Sequence, residues 1–339
     1  MNVCAVIVTY NNRFNLLKEV IESLFKSDIT GVIVVDNNSE AESRNRLKNL
    51  EEKNASKLKV IYLDENTGSA GGYSRGLKEF FRDEACDFVW LLDDDNVPEE
   101  GSLEVLKTFW QGLNEKDKES SVALLSSRPG REIYKTAVLQ NKPDLVIGSM
   151  DGFLGFSIKG FFLRSLSHNS ENNAVGAKGD LSHGNVSASY YGGLFFQKKL
   201  LDKIGYPNED LFLYTDDTEY SNRIVRMGGR IIVLFNSRIT DIDEKWFQPE
   251  DRATFLKLPL MNQTNKHRYY YQIRNRVYFE KFILNRHRLS YKLNKFLYLV
   301  ILKLVLWMNK NKLNGRIISL AVGDGLKGNL GKKDTAYFN

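Results

Sequence analysis

A chain of 339 residues with 42% hydrophobic and 27% charged positions, and only 25 Gly and 6 Pro, has enough apolar content for a sizeable core. This excludes a disordered or collagen-like protein and fits two domains, or one large domain with an appendage. The net charge of +6 conceals a split, because residues 266–333 hold 16 Lys and Arg against two acids, Glu280 and Asp324, a net of +14, leaving −8 on the other 271 residues. A basic end on an acidic body asks for an anionic partner, with nucleic acid and a membrane surface as the candidates.

Residues 3–9 form a continuous apolar, β-rich run, and residues 14–26 have helical spacing through Leu17, Val20, Ile21, Leu24 and Phe25. The N-terminus has neither the basic region nor the long apolar stretch of a secretory signal, so a cytoplasmic protein is expected. A second strand is predicted over 31–36 (GVIVVD), a polar helix over 42–52 and a third strand over 59–63. A helix opened by glycines follows over 70–82, then a fourth strand over 88–92 (FVWLL). Strands poor in polar residues, alternating with helices, imply an α/β fold with a mostly parallel sheet covered on both faces. Cys4 and Cys86 are the two cysteines; they exclude a disulfide framework, and their apolar surroundings predict reduced, buried thiols.

In a parallel sheet, ligands bind beyond the carboxyl ends of the strands. Those ends carry Thr9-Tyr10-Asn11-Asn12, Asp36-Asn37-Asn38-Ser39, the glycine-rich stretch from Asn66 to Gly72, and Asp93-Asp94-Asp95-Asn96. Any one of these is an ordinary turn. Four on one sheet edge point to a ligand cleft. Three adjacent carboxylates repel one another unless a cation offsets them, and Mg2+ or Mn2+ takes carboxylate oxygens while leaving positions for phosphate. Alternate residues share a face, so Asp93 and Asp95 suit one ion while Asp94 turns away. An acidic turn before Pro98 explains one aspartate well and three poorly. Gly68, Gly71 and Gly72 allow close approach of a bulky ligand and open a helix N-terminus that favours anions. Neither a Walker loop nor GxGxxG is present, which disfavours an ATPase or a dinucleotide enzyme.

The set VTYNN, VVDNNS, NTGSAGGYSRG and LLDDDNVP, in this order, resembles the nucleotide-sugar-binding half of family 2 glycosyltransferases with the Rossmann-like GT-A fold. The resemblance continues through Tyr191 to Phe196, residues 203–207 (KIGYP), residues 213–220 (LYTDDTEY) and residues 270–276 (YYQIRNR). AGGY with DDD looks most like the galactofuranosyltransferase branch, with Ser69 and Tyr73 as departures and rhamnosyltransferases as near relatives. It implies a nucleotide-sugar-binding half over 1–115, an acceptor-binding half over 116–255 and a basic helical region over 256–339. Thr9, Tyr10 and Asn11 would edge the nucleotide, Asp36 would hold the uracil, and Asn66, Gly68, Gly71, Gly72 and Asp94 would complete the donor site. Asp93 and Asp95 would hold Mn2+ or Mg2+. A histidine ligand usual in relatives is missing, and Asp241 is its substitute. Asp217 would be the base of an inverting transfer, with Tyr191, Gly192, Gly193, Asp216, Glu219 and Trp246 toward the acceptor.

The chemistry suits these positions. An acceptor hydroxyl needs a base within hydrogen-bond reach, and a departing UDP needs its new charge offset. Tyr220, Ile224 and Met227 have helical spacing behind Asp217, so a helix cap beside Asp216 is the structural alternative for that residue. Tyr190, Phe195 and Phe196 read as packing. The polar stretch 165–189 reads as an acceptor loop or lid. The resemblance thus implies a UDP-sugar donor and a glycan or lipid-linked glycan acceptor of bacterial surface polysaccharide synthesis, with dTDP-rhamnose or another UDP-sugar as alternative donors. A sugar-1-phosphate nucleotidyltransferase would carry Arg and Lys in its first loop, where residues 9–15 offer only Arg13; a non-catalytic binding subunit would not need DDD together with Asp217.

In the tail, residues 296–308 (FLYLVILKLVLWM with Lys303 inside) are too short an apolar run to span a bilayer. A buried or dimer-forming helix and a peripheral contact with an anionic membrane at its cytoplasmic face are the two readings. Nucleic acid is disfavoured, since no nucleic-acid module is visible.

Overall fold

The computed structural model describes residues 1–115, 118, 121–160, 181–243, 266–308 and 312–338. Its contacts divide the chain into two units: Met1–Val146 with Leu181–Glu209 and Asp216–Phe247, and Ile147–Asp180 with Asp210–Thr215 and Gln248–Asn339.

The first unit opens with β1 (Val3–Thr9), α1 (Phe14–Phe25), β2 (Gly31–Asp36), α2 (Ala41–Lys53), β3 (Leu58–Tyr62), α3 (Gly68–Arg82) and β4 (Phe88–Asp93), all within two residues of the predicted bounds. β3, β2, β1 and β4 lie side by side and parallel. Period-two alternation splits β1 between two cores. Val3, Ala5 and Ile7 meet Leu17, Val20, Ile21 and Leu24 of α1 on one face, while Cys4 and Val6 meet Tyr73, Leu77 and Phe80 of α3 on the other.

Past β4 the sheet becomes mixed. β5 (Asn96–Pro98), α4 (Ser102–Gly112), β6 (Val122–Ser127), α5 (Glu132–Leu139), β7 (His183–Val186), β8 (Leu194–Gln197), α6 (Leu200–Ile204), α7 (Asp216–Arg226) and β9 (Arg230–Asp241) complete this unit among the described residues. β8 runs antiparallel between β4 and β6, β6 and β9 are parallel, and the far end of β9 pairs antiparallel with β5.

One expectation is corrected here. Cys4 and Cys86 are joined in a disulfide, with Cα atoms 5.8 Å apart. Parallel pairing of β1 with β4 sets Val3 against Phe88, which brings Cys86, two residues ahead of β4, beside Cys4. Two glycines at the start of α3 also meet close protein neighbours. A Cβ on Gly72 would lie 2.6 Å from Val8 of β1, so this glycine lets the helix lie close on the strand, while one on Gly71 would lie 2.5 Å from Thr67, the residue before the helix.

The second unit has α8 (Lys266–Phe279), a π-helical turn (Glu280–Leu284), α9 (Arg288–Met308) and α10 (Lys312–Lys327). Its core joins Tyr269, Tyr270, Ile273 and Val277 with Tyr291, Tyr298, Leu302, Ile317 and Ile318. Buried polar groups pin it. The Glu280 carboxylate accepts from the Leu154 and Gly155 amides and from Arg276 Nε. Asn275 Nδ2 donates to the carbonyls of Leu211, Leu213 and Tyr214, clasping a stretch in which Phe212, Tyr214 and Thr215 have positive φ.

Candidate active site

The register of β5 on β9 builds the centre of the site. Asn96 pairs with Asp241, so the turn Asp93-Asp94-Asp95 between β4 and β5 comes beside the end of β9. Asn96 is fully buried; its Nδ2 donates to Asp95 at 3.0 Å and to Asp241 at 2.8 Å, while its Oδ1 accepts the Asp93 amide at 3.1 Å. Asp93 accepts from Tyr73 Oη at 2.8 Å and from Arg128 Nη1 at 3.2 Å. Asp241 accepts from Arg128 Nε at 3.0 Å and Nη2 at 2.6 Å. Asp94 is buried and, with Asp95, lies in the turn between β4 and β5. It accepts from Thr9 Oγ1 at 2.8 Å and from Arg13 Nε at 2.9 Å. Arg13 reaches on to Asp95 at 2.8 Å and to Asp243 at 2.6 Å.

Five carboxylates thus share Arg13 and Arg128, with Arg131 3.8 Å from Asp241. Burial, then the charges of Asp93 and Asp94, push Asp95 up to about 7 in spite of both guanidiniums. Burial opposes the charge of Arg13, yet Asp94, Asp243 and Asp95 outweigh it and hold the guanidinium above its ordinary value. Oxygen-only negative charge is the donor chemistry of a hard divalent cation, so Asp93, Asp95 and Asp241 suit one in donor type, although Arg13 and Arg128 engage them here and their oxygens do not all lie within 4.8 Å of one another. Among the described residues, the group whose ligand atoms lie mutually within 4.8 Å is Cys4, Asp83 and Cys86, whose sulfurs are bonded to each other.

The predicted donor residues line the adjoining strand ends. Asp36 is buried; one oxygen accepts the Ser39 amide at 2.9 Å and the other accepts from Arg44 Nε, so both face protein partners. Tyr10 lies under Arg13, whose guanidinium carbon is 5.6 Å from the ring centre, and Asn11 turns the chain at φ 53°. Asn66 Oδ1 accepts the amide of Gly68, the first residue of α3, at 2.9 Å.

Toward the acceptor side, α7 starts at Asp216, so neither aspartate precedes the helix as a cap. Asp217 Oδ1 accepts the Thr218 amide at 2.5 Å and its hydroxyl at 3.1 Å. Burial pushes the Asp217 carboxyl up, against the two Thr218 bonds, and the charge of Asp93 adds to the rise. Asp216 accepts from Ser69 Oγ at 2.7 Å and is raised by burial and by the Asp217 charge. Tyr191 is buried, its ring 3.9 Å from that of Tyr73. Glu219 is buried and gives both oxygens to Arg223, at 2.9 and 2.6 Å, so it orients a basic residue. Gly192 lies under the carboxylates: a Cβ there would fall 2.1 Å from Asn96 Oδ1 and 2.8 Å from Asp93 Oδ2. Gly193, at φ 97°, donates its amide to Leu91 O. Trp246 and residues 165–180 of the expected acceptor loop lie outside the described residues.

Sequence reading passed over Asn96, Arg128 and the role of Tyr73, and met Arg13 only as a lone cation. Arg13 alone carried a signal, being a charge set between an apolar strand and an apolar helix. Arg128 follows the register shift that ends β6, where periodicity is silent.

Comparison with known proteins adds the following. Residues 4–116 match Glycosyl transferase family 2. Over 231 residues the chain is 28% identical to Galactofuranosyltransferase GlfT1 of Mycolicibacterium smegmatis, covering 67% of this chain and 66% of that one, just under two thirds of the relative. Mannosyltransferase PcManGT of Pyrobaculum calidifontis, solved with GDP-Man and Mn2+, superposes with a TM-score of 0.50 at 14% identity, over 96% of this chain and 87% of that one. GalNAc-T7 with UDP, GalNAc and Mn2+ gives 0.49 at 13% identity, over 76% of this chain and 48% of that one.

Proposed function

We propose that this chain, which carries a family 2 glycosyltransferase domain in a GT-A fold, transfers galactofuranose from UDP-galactofuranose to a hydroxyl of a glycan or lipid-linked glycan, with inversion, during bacterial surface polysaccharide synthesis. The carrying observation is a shared carboxylate cluster, Asp93, Asp95 and Asp241, with a separate buried carboxylate, Asp217, in the same unit that feels the charge of Asp93.

Each residue has a task. Asp217 takes the proton of the acceptor hydroxyl as that oxygen attacks the anomeric carbon and the bond to UDP breaks on the opposite face. Thr218 fixes the orientation of that carboxylate through its amide and hydroxyl. Asp93, Asp95 and Asp241 would hold Mn2+ or Mg2+, which when bound offsets the charge that UDP gains. Asn96, Arg128 and Arg13 keep those carboxylates in place. The N-terminus of α3 presents backbone amides suited to phosphate oxygens.

A donor panel of UDP-galactofuranose, UDP-galactopyranose, UDP-glucose and dTDP-rhamnose, with Mn2+ or with EDTA and read by product mass, tests this. Transfer from UDP-galactofuranose, lost in EDTA, is the expected result. Transfer from dTDP-rhamnose alone would replace the donor, and transfer indifferent to EDTA would remove the cation.

A further inference from the structure

Among the described residues, the second unit leaves one face of its longest helix exposed. In α9, Tyr291, Asn294, Tyr298 and Leu302 turn inward and are buried. Tyr291 and Tyr298 pack on Phe153, and Asn294 bonds the Asp151 carbonyl and the Ile158 amide. On the opposite side Leu289, Leu293, Phe296, Val300, Leu304 and Trp307 recur every three or four residues and are all exposed, Leu289 at 81%, Phe296 at 62% and Trp307 at 79%. Such spacing lines up one face along a 21-residue helix of about 31 Å. Isolated exposed apolar residues are ordinary, but a continuous stripe marks an interaction surface.

Charge selects the occupant. α9 carries Arg288, Lys292, Lys295 and Lys303, and no acid. These four project along one flank of the stripe, between it and the inward face. Two copies of this helix laid stripe to stripe would bring basic flanks together with no carboxylate on either helix to offset them. A surface of anionic headgroups over acyl chains satisfies both features at once: the stripe enters the headgroup boundary, and the flank meets lipid phosphates. Among the described residues no helix is long and apolar enough to cross a membrane, so the geometry is that of a helix lying along the surface.

We propose that α9 is a docking helix for an anionic lipid surface, with Leu289, Leu293, Phe296, Val300, Leu304 and Trp307 inserting and Arg288, Lys292, Lys295 and Lys303 contacting the headgroups.

The test uses the full chain and sedimentation with vesicles of phosphatidylcholine, either alone or with about one third phosphatidylglycerol. The wild type is expected to sediment with the mixed vesicles and to remain in solution with phosphatidylcholine alone. F296E/W307E alters exposed positions only, so its circular dichroism stays native while its binding falls about tenfold or more. K292Q/K303Q is expected to weaken binding to the mixed vesicles several-fold. Failure of the wild type to bind anionic vesicles overturns the proposal, as does equal binding to neutral ones. Light scattering supplies the rival outcome: a dimer that F296E/W307E converts to monomer, without vesicle binding, would assign the stripe to a second copy of the chain.

Discussion

At the scale of single residues the proposed transfer turns on Asp217. Asp217→Asn is expected to lower turnover about a thousandfold, the usual order for loss of a general base, while calorimetry shows UDP still bound. The base works as a carboxylate, and its pKa is pushed up to about 6 by burial, with the Thr218 bonds pulling it back and Asp93 raising it. Activity should therefore fall as pH drops through that value, well above where an exposed aspartate titrates. Thr218→Val removes the hydroxyl that favours the charged form, so the acid limb of kcat/KM should move upward, by about half a unit. A downward move, or none, would separate Thr218 from the base. Gly192 is a different kind of position. Its missing side chain is what lets Asn96 and Asp93 sit where they do, so Gly192→Ala should cost most of the activity and, as overpacking, about 1–3 kcal/mol of stability. Unchanged kcat/KM in that variant would detach Gly192 from the carboxylate cluster.

Among the elements, α3 lies on β1 through Gly72 and Gly76, which face Val8 and Val6. Gly72→Ala drives a Cβ to within 2.6 Å of Val8, and overpacking of this kind costs about 1–3 kcal/mol. Val8→Ala in the same chain should recover part of that, read as a positive coupling in urea unfolding; simple additivity would mean that the helix shifts instead. The same contact explains where sequence reading stopped. β1, β2 and β4 were legible because each is a short apolar run ending in a turn residue, and the carboxylates at their ends followed from the parallel pairing alone. The glycines looked alike for a ligand or a strand, since both need a missing Cβ and only the partner differs. Cys4 and Cys86 looked like two unrelated thiols because nothing local reports the register that joins residues 82 apart. Asp241 was reached through the resemblance, but Asn96 and Arg128, which hold it, depend on β5 meeting the end of β9 and on the shift that ends β6. The disulfide itself has a direct check: alkylation of the unfolded, unreduced chain should add no mass, and C4A/C86A should unfold at lower urea, by up to about 4 kcal/mol for a loop this long.

Over the whole molecule, the average charge of +6 describes neither end of the chain. The −8 body concentrates carboxylates that face one another around Arg13 and Arg128, where protein excludes most of the water. The +14 stretch instead sets Arg288, Lys292, Lys295 and Lys303 of α9 beside an exposed apolar stripe. Salt should tell these two uses of charge apart. Raising NaCl from 0.1 to 1 M shortens the screening length from about 10 to about 3 Å, which weakens exposed charges and leaves partly buried pairs much less affected. Retention on anionic vesicles should therefore drop about tenfold across that range, because the lysines of α9 meet headgroups through water. The KM for the sugar nucleotide, measured with a water-soluble acceptor, should change by no more than about twofold, because Asp93, Asp95 and Asp241 act at short range in a largely enclosed site. The reverse pattern, with vesicle binding indifferent to salt and KM rising steeply, would mean that the basic tail binds by its apolar stripe alone and that the nucleotide is held by exposed charges instead of by the buried cluster.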